Sequence, residues 1–199
     1  MKYERIERAT FLERPNRFIA YARIAGKQET IHVKNTGRCA ELLVPEAEIF
    51  VQESDNPERK TKWDLIGVRK GNRLINMDSQ IPNKVVEEWL RAGNLFLEPV
   101  TVRPETTYGN SRFDFYVESG EKKAFIEVKG VTLEEDGVVR FPDAPSERAV
   151  KHMEELIRAK KEGYDAYVFL VIQMKGVRYF TPNMDTQLEF GEVLKKAKA

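Results

Sequence analysis

The chain has 199 residues, 41% hydrophobic and 33% charged, with a formal net charge of +1. That suits one large or two small folded domains and excludes a strongly basic global field as the source of any nucleic-acid affinity. With no apolar run near the ~18 residues of a membrane helix and no export signal in MKYERIERAT, a cytoplasmic protein without membrane partners is expected.

Charge is skewed locally: residues 1–38 hold nine Lys/Arg against four Asp/Glu, a patch that can attract phosphates or simply form a solvated surface. Short strand-like runs dominate the first 80 residues. In 17–24, Phe18, Ala20, Ala22 and Ile24 share one face, and Arg17, Ile19, Tyr21 and Arg23 the other. Ala25-Gly26-Lys27 turns into 28–33. Further strands are predicted at 48–53, 63–69 and 73–77, the last two joined at Lys70-Gly71-Asn72. Such a series suggests a small closed or half-closed barrel of the oligonucleotide-binding (OB) kind over 1–81. Arg17, Tyr21 and Arg23 form a basic strip with one aromatic, suited to phosphates and stacked bases, or an ordinary strand exterior. Asn35-Thr36-Gly37-Arg38 could bind phosphate through backbone N–H groups or merely begin a helical turn. His32 is expected to pack or hydrogen-bond on its strand.

Cys39 is the lone cysteine, and His32 and His152 are the two histidines. An internal disulfide and a thiolate zinc centre are thereby excluded, and any metal should be a hard cation held by carboxylates.

From residue 82 to 199 the pattern becomes mixed α/β. Asn83 is a plausible N-cap for a helix with Val85, Val86, Trp89 and Leu90 on its apolar face, stopped by Gly93. Strands are predicted at 95–103, 112–118 and 124–129. A helix follows over 146–162, capped by Ser146 or Asp143 and ended at Gly163. The nearly continuous apolar run 166–173 reads as a strand covered on both faces. A last helix is predicted near Thr186, where Thr186-x-x-Glu189 fits a capping box. The strand, helix and strand from 124 to 172 form a βαβ crossover, expected to be right-handed with parallel strands.

The chemistry concentrates in the hairpin at 112–130. Glu127 and Lys129 share a strand face with Phe125, and Asp114 near the start of the preceding strand can reach the same edge. Asp114 and Glu127, with the Val128 carbonyl, suit one or two Mg²⁺ or Mn²⁺ ions, and Lys129 suits orientation of a water or offset of charge on a phosphorane. Alternating charge is also common on a solvated hairpin face. Glu87 is a candidate further metal ligand or a solvent-facing helix residue. Arg112, Arg140, Arg148 and Gln173 lie where they could contact phosphate.

The segments NTGRCAELLVP (35–45), NPERKTKWDLIGV (56–68), PNKVVEEWL (82–90), RPETTYGNSRFDFYVE (103–118), EVKGVTLEEDGVVRFPDAPSERAVKHMEEL (127–156) and VFLVIQMKGV (168–177) resemble the sugar fermentation stimulation protein family (SfsA). That resemblance implies an N-terminal OB barrel and a C-terminal domain of the PD-(D/E)xK nuclease type, its motif falling on Asp114 and Glu127-Val128-Lys129. Phe113 stands where the motif has proline, which carries no chemistry. The family is associated with DNA binding and with regulation of sugar metabolism genes. Two functions follow as expectations: a Mg²⁺-dependent nuclease, catalysed by Asp114, Glu127 and Lys129, or a non-catalytic DNA-binding regulator on a nuclease scaffold. RNA is an alternative polymer, and a homodimer is compatible with the sequence.

Overall fold

The computed structural model describes residues 2–96 and 99–198. Strand β1 (Ile6–Asn16) opens the chain and was not legible in its sequence, because only Ala9 and Phe11 are buried among charged neighbours and Pro15. β2 (Ile19–Ile24) and β3 (Lys27–Val33) form a hairpin on the two-residue turn Ala25-Gly26, both at positive φ, as a turn matched to strand twist requires. Ala20, Ala22 and Ile24 point inward as expected, whereas Phe18 precedes the strand and is 51% exposed. β4 (Glu48–Glu53), β5 (Trp63–Lys70) and β6 (Arg73–Asn76) complete the series.

The sheet order is β3-β2-β1-β4-β5-β6, and a parallel pairing of β3 with β5 closes the first five strands into a barrel. Register shifts at Phe11/Glu13 and Glu13/Asn16 bend β1 so that it serves both β2 and β4. Phe11, Ile31, Ile49, Leu65, Ile75 and Met77 fill the interior.

Helix α1 (Ile81–Arg91) begins earlier than predicted, with Pro82 in its first turn, so Asn83 is not an N-cap. Its buried stripe is Pro82, Val86 and Leu90. Val85 and Trp89 flank that stripe and are 42% and 39% exposed. The predicted strand 95–103 begins only at β7 (Thr101–Tyr108). Leu95, Phe96 and Val100 pack into the core without joining a ladder, so apolar character there reflects burial and not strand pairing, and residues 97 and 98 lie outside the described residues.

β8 (Ser111–Ser119) and β9 (Lys122–Val131) form the predicted hairpin. β10 (Leu133–Glu135) and β11 (Val138–Phe141) precede α2 (Glu147–Lys161), whose N-cap is Ser146: its hydroxyl accepts from Ala149 N at 3.3 Å. β12 (Asp165–Ile172) neighbours β9 in a sheet of order β12-β9-β8-β7. It is an edge strand, and every residue is half-buried, so its apolar run does not mark a fully covered central strand. β13 (Tyr179–Pro182) joins β10 and β11 in a small sheet of order β10-β11-β13.

Helix α3 (Leu188–Lys198) starts two residues past Thr186. The capping box does not form: the Thr186 hydroxyl accepts from the Asn183 side-chain amide at 2.8 Å. Gln187 Oε1 accepts from Ser146 N at 2.9 Å and ties this turn to the start of α2.

Two compact units result. The first is 1–80 with 132–139 and 172–180; the second is 81–131, 140–171 and 181–199. A single cut after residue 81 therefore misses two excursions of the later chain, which pack with the barrel residues. Among the described residues no helix is long and apolar enough to cross a membrane.

Candidate active site

The second unit's sheet separates two layers, and the alternation of β9 sorts its side chains between them. Ala124, Ile126 and Val128 pack in the cluster that contains Val86 and Leu90 of α1. Phe125 packs in the cluster that contains Ala149, Met153 and Leu156 of α2, with Phe190 and Val193 of α3. Glu127 shares the parity of Phe125 and is buried at 3% exposure.

A carboxylate in that position is costly unless fully partnered. One oxygen is crowded: Glu127 Oε1 pairs with Lys129 Nζ and lies 2.6 Å from His152 Nδ1. The other oxygen, Oε2, is buried without a hydrogen-bond partner among the described residues. Arg148 Nε donates to His152 Nε2 at 3.4 Å. A guanidinium can only donate, so Nε2 accepts and Nδ1 carries the proton given to Glu127.

Asp114 is held differently. The β8–β9 ladder runs from Ser119↔Lys122 to Phe115↔Ile126. Phe113 belongs to the α2 layer and Phe115 to the α1 layer, so the strand turns over at Asp114. Its own carboxylate takes over beyond that pair: Oδ2 accepts from Val128 N at 2.7 Å. Oδ1 accepts from the Asn83 side-chain amide at 2.8 Å. Each oxygen keeps a free lone pair. Asp114 thus bonds the amide of the residue that follows Glu127.

This donor set fits a hard divalent cation. Glu127 Oε2 is an anionic, buried oxygen lacking a donor, and Asp114 offers lone pairs beside the same strand. Mg²⁺ commonly takes one or two carboxylates and keeps several waters. Among the described residues no group of three or more His, Cys, Asp or Glu is gathered as for a metal, and Glu87 is engaged elsewhere. It pairs with Arg91 at 2.6 Å, one helical turn away.

The remaining candidates divide. Arg148 reaches the site through His152. Arg112 is exposed and pairs with Glu105 at 2.8 Å. Arg140 is half-buried on β11. Gln173 is a correction: its side-chain amide donates to Asn76 O, Asn76 Oδ1 and Asp78 O within the first unit, a structural role. On the barrel, Arg17 and Arg38 are exposed, Tyr21 is half-buried, and Arg23 pairs with Glu46 at 3.5 Å. The turn at Asn35 is already satisfied: Asn35 Oδ1 accepts from Gly37 N at 2.9 Å, and Arg14 donates to the carbonyls of Asn35, Gly37 and Arg38.

His152 and Asn83 are the residues that sequence reasoning passed over. His152 lies on the helix face of Ala149, Met153 and Leu156, and a histidine within an apolar stripe is the available signal. Asn83 gave none beyond its mistaken reading as a cap.

Comparison with known proteins agrees with this architecture. Residues 12–77 match the SfsA N-terminal OB domain, and residues 80–199 match the sugar fermentation stimulation protein RE domain, a restriction-endonuclease-like fold. A sugar fermentation stimulation protein homolog of Clostridium beijerinckii is 63% identical over 198 residues, covering 100% of this chain and 88% of its own. A homolog from Desulfitobacterium hafniense is 61% identical, covering 100% and 86%. The structure of Pyrococcus furiosus SfsA in complex with Ca²⁺ superposes with a TM-score of 0.90 at 27% identity, covering 100% of this chain and 86% of that one. With its OB barrel followed by a restriction-endonuclease-like unit, this chain belongs to the sugar fermentation stimulation protein family.

Proposed function

We propose that this protein is a divalent-metal-dependent nuclease that hydrolyses phosphodiester bonds in DNA. The observation that carries the reading is the unpartnered, buried Glu127 Oε2 beside Lys129. A group used only for structure would have been satisfied or replaced by an apolar residue.

Asp114 and Glu127 are the residues that would hold Mg²⁺ or Mn²⁺, with the Val128 carbonyl as a further oxygen donor. Such an ion supplies Lewis acidity and a water-derived nucleophile at neutral pH. The Pyrococcus furiosus relative was solved with Ca²⁺, another hard cation, which supports the choice of metal. Asn83 and the Val128 amide fix the Asp114 carboxylate, and His152 fixes Glu127. Lys129 is a flexible ammonium whose charge can move from Glu127 to a scissile phosphate as negative charge builds there. On the barrel, exposed Arg17 and Arg38 with Tyr21 and Arg23 suit the sequence-independent grip of a polynucleotide.

The test is incubation of the purified chain with plasmid, linear DNA and RNA, in Mn²⁺, Mg²⁺ and chelator. The expected result is metal-dependent DNA cleavage, reduced about 10³-fold or more in Lys129→Ala and Asp114→Ala. Tight DNA binding by wild type without turnover in either metal would overturn catalysis and restore the regulator of sugar metabolism genes. Cleavage confined to RNA would correct the polymer.

A further inference from the structure

Beside Glu127, on the far side of His152, the second unit has a hollow of about 540 Å³ lined by Asn110, Ser111, Arg112, Glu147, Arg148, Lys151 and His152. Its chemistry is not that of a solvated surface. Ser111 is 5% exposed, and its hydroxyl is buried without a hydrogen-bond partner among the described residues. A buried hydroxyl without a protein partner is rare and points to something outside the protein's own groups that completes it. The same lining carries donors with capacity to spare. Lys151 spends one of its three protons on Asn110 O at 2.9 Å. Arg148 spends Nε on His152, and no other protein partner claims its two terminal nitrogens among the described residues. Arg112 is offset by Glu105, and Glu147 is the one acidic residue in the lining.

We propose that this hollow docks one phosphate group of the polynucleotide, gripped by Ser111, Arg148 and Lys151. Hydroxyl, guanidinium and ammonium donors around one hollow match the acceptor-only oxygens of a phosphate, and the guanidinium fork matches its geometry. The site is wired to the candidate metal ligand: Arg148 donates to His152, and His152 donates to Glu127. Binding a phosphate there fixes Arg148 and, through the imidazole, the Glu127 carboxylate. The proposal rests on the polynucleotide reading of the neighbouring site and specifies where a second phosphate lies.

The group could be a bridging phosphodiester next to the scissile one or a terminal phosphate monoester. Both share the same chemistry, and strand ends separate them. The experiment uses the full chain in chelator, so that nothing is cleaved. Fluorescence anisotropy follows 3′-labelled single-stranded oligonucleotides, with a 5′-phosphate or a 5′-hydroxyl, across a salt series.

Arg148→Gln should weaken binding about tenfold and reduce the salt slope by about one. Ser111→Ala, which changes no charge, should weaken binding severalfold with the slope unchanged. Lys123→Gln, an exposed lysine near the far end of β9, controls for bulk charge and should cost less than Arg148→Gln. Thermal melting by circular dichroism verifies that each variant is folded. Loss confined to the phosphorylated strand assigns a terminal monoester, and equal loss on both strands assigns a bridging phosphodiester. Wild-type affinity in Ser111→Ala, or an equal penalty in Lys123→Gln, overturns the site, as does failure of wild type to bind either strand. A chain that binds in the expected pattern yet never cleaves in Mn²⁺ loses the nuclease reading and keeps the pocket; one that cleaves without the pattern does the reverse.

Discussion

Both units bury acids, and Asp64 in the first and Glu127 in the second are treated in opposite ways. In the barrel, the Asp64 carboxylate accepts a bidentate pair from Arg59 at 2.7 and 2.9 Å and lies 3.0 Å from His32 Nδ1 and 3.4 Å from Lys34 Nζ. Burial alone would push its pKa up, but Arg59, His32 and Lys34 outweigh that and hold it at about 2. In the second unit Glu127 has two donors on one oxygen and none on the other. A completed network locks a fold, while an incomplete one keeps free valence for something that arrives later. The barrel acid is therefore a structural group, while the second acid, on the proposed nuclease reading, is left short of partners for chemistry.

Charge removal at the two positions should expose this difference most strongly. Asp64→Asn leaves Arg59 without its counter-charge and Lys34 with Asp78 alone, and breaking a buried pair from one side costs about 3–5 kcal/mol. Glu127→Gln breaks the Lys129 pair but also removes a buried anionic oxygen that has no donor, so the two effects partly offset and it should cost less than Asp64→Asn. Trp63 in the first unit and Trp89 in the second allow separate readings. Urea unfolding in a Trp89→Phe background follows the barrel, and a Trp63→Phe background follows the other unit. Equal destabilisation by the two substitutions would remove the contrast and make Glu127 another structural acid.

What could be read from the sequence follows the same division. Period-two alternation located β2 and sorted the faces of β9, and short runs bounded by turns marked β4, β5 and β8, although β5 and β9 are buried on both faces. Strand β1 escaped because it is mostly polar and curves between two partners. The Glu127/Lys129 pairing was legible because residues two apart on a strand share a face. Asp114 was legible in identity but not in detail: its bond to Val128 N depends on the strand turning over at that residue, which no local pattern announces. Asn83 and His152 lie far from the motif in sequence and meet it only through packing. Gln173 was misplaced because its strand's end packs with the barrel residues, a long-range fact invisible in the run itself.

The next expected effect concerns how far His152 prepares Glu127 for a cation. Partners that orient a metal-ligating carboxylate typically contribute 10–100-fold in metal affinity. Mn²⁺ affinity, measured by calorimetry without substrate, should fall by about that range in His152→Ala. His152→Gln, which keeps a side-chain donor, should recover part of it. A purely structural histidine would lower the unfolding midpoint and leave Mn²⁺ affinity of the folded chain untouched, so the affinity decides the role. An unchanged value would separate Glu127 from His152 functionally and leave the hydrogen bond as packing.

Acid is the gentlest way to test the barrel half of the comparison. The Asp64 pKa is lowered from 3.8 in the unfolded chain to about 2 in the fold. The folded state thus prefers the ionised form, and the stability it contributes is fully present above about pH 4 and lost as pH falls through about 2. The shift corresponds to about 2 kcal/mol. Glu134, buried within the first unit, is lowered too: burial raises its pKa, and the Gly137 amide, Arg73 and Lys70 outweigh that. It therefore adds to the decline in the same direction. In the Trp89→Phe background, barrel stability should hold from neutrality to about pH 4 and then fall. In Asp64→Asn the curve should start lower and drop less, since the remaining loss belongs to Glu134. A decline of full size in Asp64→Asn would assign the acid sensitivity to other groups and show that the Arg59 and Lys34 contacts do not hold Asp64 ionised.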